Sequence, residues 1–194
     1  AFEPVRKGTT AIGIGSKNAV VLAVEEKPFS SLQDTNVAQK LFQVDEHVGA
    51  AVAGLMGDAR ILIDQARVFS QSNRLTYDEP IDIEILSKRV GDVTQLYTQH
   101  AGVRPFGASI IFAGVDRTGS RVFLTEPSGA YWGFKAVSIG AGAETVKSLL
   151  EKHYREDITV DNAILMSLYC LSKVIEAGLT HEKIKVAIVP VDSQ

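Results

Sequence analysis

Arg104-Pro105-Phe106-Gly107-Ala108-Ser109-Ile110-Ile111-Phe112-Ala113-Gly114-Val115-Asp116 is the stretch whose reading decides the fold: an apolar strand entered through a proline and a glycine. Ahead of it, Ile85, Leu86, Val90, Val93 and Leu96 recur with a helical period and stop before Gly102. After it, Arg121 to Thr125 reads as a second strand. Pro127-Ser128-Gly129 supplies a turn, and a further strand begins near Ala130.

The same alternation extends towards both ends. Thr10 to Ile14 and Ala19 to Val24 are β-favouring runs joined by Gly15-Ser16-Lys17-Asn18, as in a tight antiparallel connection. Leu41 to Val44 and Val48 to Ala53 flank the polar Asp45-Glu46-His47 as a second hairpin. After Gly54 the period changes to about 3.6, with Ala59, Leu62, Ile63, Ala66 and Phe69 on one helical face, and Pro80 ends that segment. Towards the C-terminus, Glu144 to His153 is predicted as a helix. Val160 to Ala177 is another, with Ile164, Leu168, Leu171 and Ile175 as its apolar face and Gly178 as its cap. Ile184 to Val189 is the last strand. This order of strands, helix pair, strands, helix pair and strand places the chain in the α+β class.

Composition narrows the function classes. A chain of 194 residues with 45% hydrophobic content can bury roughly 70% of its unfolded surface in one core, so a single domain over 1–194 is expected. The net charge of −3 is spread without a basic block, which argues against nucleic acid as a partner. Apolar runs such as Ala108 to Val115 fall far short of the roughly 20 residues of a membrane span, and no secretory leader is read at the start. The single cysteine, Cys170, sits in an apolar helical pattern and reads as a small buried side chain. A cytoplasmic location is expected.

Few residues suggest a cofactor, and none is predicted. His47, His100, His153 and His181 lack metal-site spacing. Gly13-Ile14-Gly15 joins two strands, while Gly140-Ala141-Gly142 opens onto a helix whose Glu144 would repel a phosphate. Tyr131 and Trp132 read as residues packed on a sheet.

Several stretches together resemble the α-type subunits of the proteasome core. They are Arg104 to Asp116, Arg6-Lys7-Gly8-Thr9-Thr10-Ala11-Ile12-Gly13-Ile14, Lys40-Leu41-Phe42-Gln43-Val44-Asp45-Glu46-His47, Gly54-Leu55-Met56-Gly57-Asp58-Ala59-Arg60, and Glu126-Pro127-Ser128-Gly129-Ala130-Tyr131. Their order and spacing cover nearly the whole chain, and the likeness is to the archaeal kind. The resemblance implies the N-terminal-nucleophile hydrolase fold, a four-layer α-β-β-α sandwich, assembled into seven-membered rings. It also implies a non-catalytic outer-ring subunit that controls entry of unfolded protein to the proteolytic chamber. Its partners would be other α subunits, the β subunits and a ring-shaped ATPase activator. Ala1 to Lys7 resembles the end of the helix before the first strand, so the longer gating segment of the family is expected to be absent and no gate residues are assigned.

The proteolytic β branch is the alternative. There a Gly-Thr bond cleaves itself and the freed threonine acts as nucleophile, with its own amine as base. Gly8-Thr9-Thr10 has that form, Lys40 would hold the proton balance, and Glu25 stands where the β branch carries Asp. The supporting serines are missing. Gly140-Ala141-Gly142 replaces a Gly-Ser-Gly turn, and Thr180-His181-Glu182-Lys183 replaces a Ser-Gly-Gly. Without those hydroxyls the amine and its proton relay lose their hydrogen bonds.

In the α branch the resemblance gives Lys40 a different role, lining a pocket between neighbouring subunits that receives the activator's C-terminal tail, where the Lys40 ammonium would pair with the tail's terminal carboxylate. Gly54 and Leu55 match the pocket's other positions, the glycine leaving room for the tail's backbone. Read without the resemblance, Lys40 is an exposed lysine at a strand start.

Overall fold

The computed structural model describes residues 3–100, 102, 104–176, 178–180 and 183–191. Its elements are α1 (Glu3–Lys7), β1 (Ala11–Gly15), β2 (Ala19–Glu25), β3 (Leu41–Asp45), β4 (Val48–Gly54), α2 (Met56–Tyr77) and α3 (Ile83–Gln99) in the first half. The second half holds β5 (Ala108–Asp116), β6 (Gly119–Thr125), β7 (Tyr131–Phe134), β8 (Ala136–Ile139), α4 (Ala143–His153), α5 (Val160–Val174) and β9 (Ile184–Pro190).

The strands form two antiparallel sheets, ordered β8-β1-β2-β9 and β3-β4-β5-β6-β7. Helices α4 and α5 pack on the first, α2 and α3 on the second, and the sheets meet through contacts of β1 and β2 with β4, β5 and β6. This is the four-layer α-β-β-α sandwich that the resemblance implies.

The layers explain why the central strands are apolar at nearly every position. A strand covered on both faces sends alternate side chains into two different cores. In β5, Ala108, Ile110 and Phe112 face α2 and α3, whereas Ile111 and Ala113 enter the layer between the sheets. In β2, Val20, Leu22 and Val24 lie between the sheets, while Val21 and Ala23 pack under α4 and α5. Full burial of such a side chain contributes about 1.5–3 kcal/mol, so a one-residue register slip would exchange the contents of both cores.

Some expectations change. Ile85 and Leu96 do not belong to the buried face of α3; they are 46% and 56% exposed. The buried stripe is Ile83, Leu86, Ser87, Val90, Gly91 and Thr94. Small residues let the helix approach the sheet closely, and the two hydroxyls are satisfied within the helix, Ser87 Oγ donating to Ile83 O (2.8 Å) and Thr94 Oγ1 to Val90 O (3.1 Å). A reading by hydrophobicity passes over such residues.

Helix α5 ends at Val174 rather than Ala177, which lies outside the described residues. Its cap is Ile175, whose N–H donates to Leu171 O (2.9 Å), and Gly178 instead closes the following turn on Ile175 O (3.3 Å). Strand β8 is an addition. It carries the chain across from β7 in one sheet to pair with β1 in the other, and at four residues it is too short to show a period. Tyr131 packs near Phe123, but Trp132 stands exposed on the edge strand β7. Cys170 is fully buried, and burial pushes its thiol up. Among the described residues, no helix is long and apolar enough to cross a membrane.

Candidate functional site

Lys40, Gly54 and Leu55 lie towards one end of the sandwich because of strand direction. β3 and β4 are antiparallel with Leu41 opposite Ala51, so the residue before β3 and the last residue of β4 lie at the same end of the sheet. Val52 N donates to Lys40 O (3.1 Å), extending the pairing by one residue. The segment between α1 and β1 contributes to this end too: Gly8 approaches Gly54 N so closely that a side chain at position 8 would collide with it.

Lys40 is half-buried rather than exposed, which departs from the reading made without the resemblance. Burial pushes its ammonium below the usual lysine range, the charges of Glu25 and Glu26 oppose that shift, and Lys27 adds to it. It forms no ion pair with a described residue. A desolvated cation without a close partner is suited to an incoming anion.

Gly54 has φ +112°, and a Cβ there would lie 2.2 Å from Gly107 O. Its glycine is therefore required by the chain's own backbone, whatever else comes near. Leu55 begins α2 as its N-cap without a side-chain cap, donates its N–H to Gly107 O (2.9 Å) and leaves its side chain 42% exposed. Gly54 and Leu55 line a shallow cleft of about 490 Å³ with Glu3, Pro4, Lys7 and Gly8. Lys40 lies outside that lining, just ahead of β3.

A clamp holds this end in shape. Asp58, buried in the first turn of α2, accepts Arg104 Nη1 and Nη2 at 2.7 Å each and Gly107 N at 2.7 Å. Arg104 holds the Asp58 carboxyl below the usual carboxylate range, with Gly107 N–H acting in the same sense and burial opposing both. A carboxylate here also complements the amide-rich start of an otherwise uncapped helix. Sequence reasoning passed over the pair, although Asp58 and Arg104 stand as opposite charges in two of the family-like motifs.

The Thr9 region lies beside it. Gly8 O accepts Ala141 N (2.8 Å) and Thr10 Oγ1 accepts Gly142 N (3.0 Å), so the Gly140-Ala141-Gly142 turn is stitched to the chain on both sides of Thr9. Gly140 has φ +99°, and a Cβ would lie 2.4 Å from Thr9 O. Thr9 Oγ1 is buried with no hydrogen-bond partner among the described residues. Thr9, Thr10, Glu25, Lys27, Ala141 and Gly142 are among the walls of a cleft of about 530 Å³. Ala141 offers no hydroxyl to this turn. His181 and Glu182 of the compared segment lie outside the described residues.

His47 belongs to the opposite end. Its side chain is largely buried, Nε2 bonds with Ile81 O (2.8 Å), and Nδ1 lies 3.6 Å from Asp45, which also accepts Arg74 Nε (3.0 Å).

The family model described as "Proteasome subunit" matches residues 5–189. The chain is 51% identical over 172 residues to Proteasome subunit alpha of Saccharolobus solfataricus, covering 89% of this chain and 71% of that one. The corresponding figures for Proteasome subunit alpha of Saccharolobus islandicus are 50%, 172 residues, 89% and 71%. Proteasome subunit alpha of Methanocaldococcus jannaschii is 49% identical over 191 residues, 98% of this chain and 73% of that one.

Proposed function

The chain belongs to the proteasome subunit family, in its α branch, and from that premise we propose that it docks the C-terminal tails of a ring-shaped ATPase activator at Lys40, Gly54 and Leu55. It is a non-catalytic subunit. It takes its place in a seven-membered outer ring stacked on the β subunits and admits unfolded protein to their chamber.

The observation that carries this reading is the half-buried Lys40 ammonium, without an ion pair among the described residues, at the same sheet end as the exposed Leu55 cleft. A chain-terminal carboxylate would form a charge-assisted bond with Lys40, stronger than a surface salt bridge because the ammonium is already partly desolvated. The tail's apolar residue would lie against Leu55. Several tails on one ring raise the effective concentration of each, so single pockets can be weak. The alternative of self-cleavage at Gly8-Thr9 finds no support in the geometry around Thr9, where the turn that would need a serine carries Ala141.

The test is a fluorescence anisotropy titration of the assembled core with a labelled peptide ending in an apolar residue, a tyrosine and a free carboxylate. The C-terminally amidated peptide is expected to bind about tenfold more weakly or worse, as loss of one charge-assisted hydrogen bond requires. Equal binding of acid and amide would remove Lys40 from the reading.

A further inference from the structure

Glu26 does two things at the base of the docking end. Its Oε1 accepts the backbone N–H groups of Gln39 (2.7 Å) and Lys40 (2.9 Å), while its own N–H donates to Lys183 O (2.7 Å), just ahead of β9. The side chain is buried. One carboxylate thereby closes the chain between Lys27 and Gln39, a segment whose Phe29 and Leu32 are almost fully exposed and which has little packing of its own to hold Lys40.

We infer that Glu26 is the positioning residue of the docking site: its carboxylate fixes the backbone from which Lys40 projects toward the incoming carboxylate and sets a negative charge beside that backbone. This rests on the docking reading above.

Charge around Lys40 acts with a definite sign. The charged groups facing Lys40 are Glu25 and Glu26, which raise its pKa, and Lys27, which lowers it together with burial. A tail carboxylate is ionised throughout the neutral and alkaline range, so binding is present while Lys40 is protonated and is lost as pH rises through its pKa. Removing the Glu26 charge takes away one of the two raising influences. The alkaline loss of binding then moves to lower pH.

Two variants separate geometry from charge. Glu26→Ala leaves the Gln39 and Lys40 amides without their acceptor and is expected to weaken the free-acid tail peptide about tenfold at neutral pH. Glu26→Gln keeps an amide oxygen in the same place. It is expected to bind within about twofold of the unsubstituted core at neutral pH, with its alkaline fall-off displaced to lower pH; this variant decides the matter alone if Glu26→Ala fails to assemble. Unsubstituted affinity in Glu26→Ala, or an undisplaced fall-off in Glu26→Gln, overturns the inference. A Lys40→Ala core titrated alongside keeps the readings apart. If Lys40→Ala binds the peptide normally, the docking reading itself fails; if it loses binding while both Glu26 variants keep the unsubstituted profile, only the role of Glu26 fails.

Discussion

Replacing Lys40 with alanine is expected to abolish activator-stimulated peptide hydrolysis by the assembled core while leaving ring assembly intact. The separation follows from how Lys40 is held. Its ammonium is in no ion pair with a described residue, and burial already disfavours its charge, so truncation removes little that the fold depends on. The hydrogen bonds that anchor the strand start involve Lys40 backbone atoms and survive the change. On the docking side, a hydrogen bond to a charged group contributes about 1.5–3 kcal/mol, roughly 10- to 150-fold per tail. Because a ring presents the same change in every pocket, the losses compound through avidity. Fluorogenic peptide turnover with and without activator, beside native electrophoresis, checks both halves. Unchanged stimulation in the variant contradicts the docking role.

The second large effect is on stability. Asp58→Ala is expected to destabilise the isolated chain by about 2–3 kcal/mol, most of it from the buried Gly107 N–H left without an acceptor. The Arg104 partner contributes less, since its side chain is largely exposed and water can replace the carboxylate. The pH dependence has the sign of a depressed carboxyl. Its folded pKa lies below the unfolded value of about 3.9, so the contribution is fully present above that value and is lost as pH falls through the folded pKa. Urea unfolding at neutral pH should show the full difference between the two proteins, and the difference should shrink in strong acid. A variant as stable as the unsubstituted chain at neutral pH would mean that Asp58 does not hold the 104–107 segment.

The Arg104 to Asp116 stretch shows what sequence reading could and could not reach. Its strand was legible because every position from Ala108 to Ala113 is buried, and an apolar run of that length has few other uses. The role of Arg104 was not legible. It depends on Asp58, 46 positions earlier, and a contact over that distance leaves no periodic trace. Gly54 is read from the resemblance as leaving room for a tail's backbone, whereas its need for glycine lies in the Gly107 carbonyl, seen only once β4 and β5 are paired. The faces of α2 were read correctly because Ala59, Leu62, Ile63 and Ala66 carry the burial themselves. Those of α3 were shifted because half its buried stripe is Ser87, Gly91 and Thr94. Lys40 came from resemblance alone; its half-buried setting and its link to Glu26 came from the fold.

The measurement that reaches docking most directly is photo-crosslinking of the assembled core with a free-acid tail peptide carrying a photoreactive side chain in place of its tyrosine, mapped by mass spectrometry. The expected adducts fall at the end of the sandwich formed by Lys40, Gly54, Leu55 and α1, and they diminish when the amidated peptide is used. Adducts confined to the opposite end, around His47 and Asp116, would contradict docking at this site.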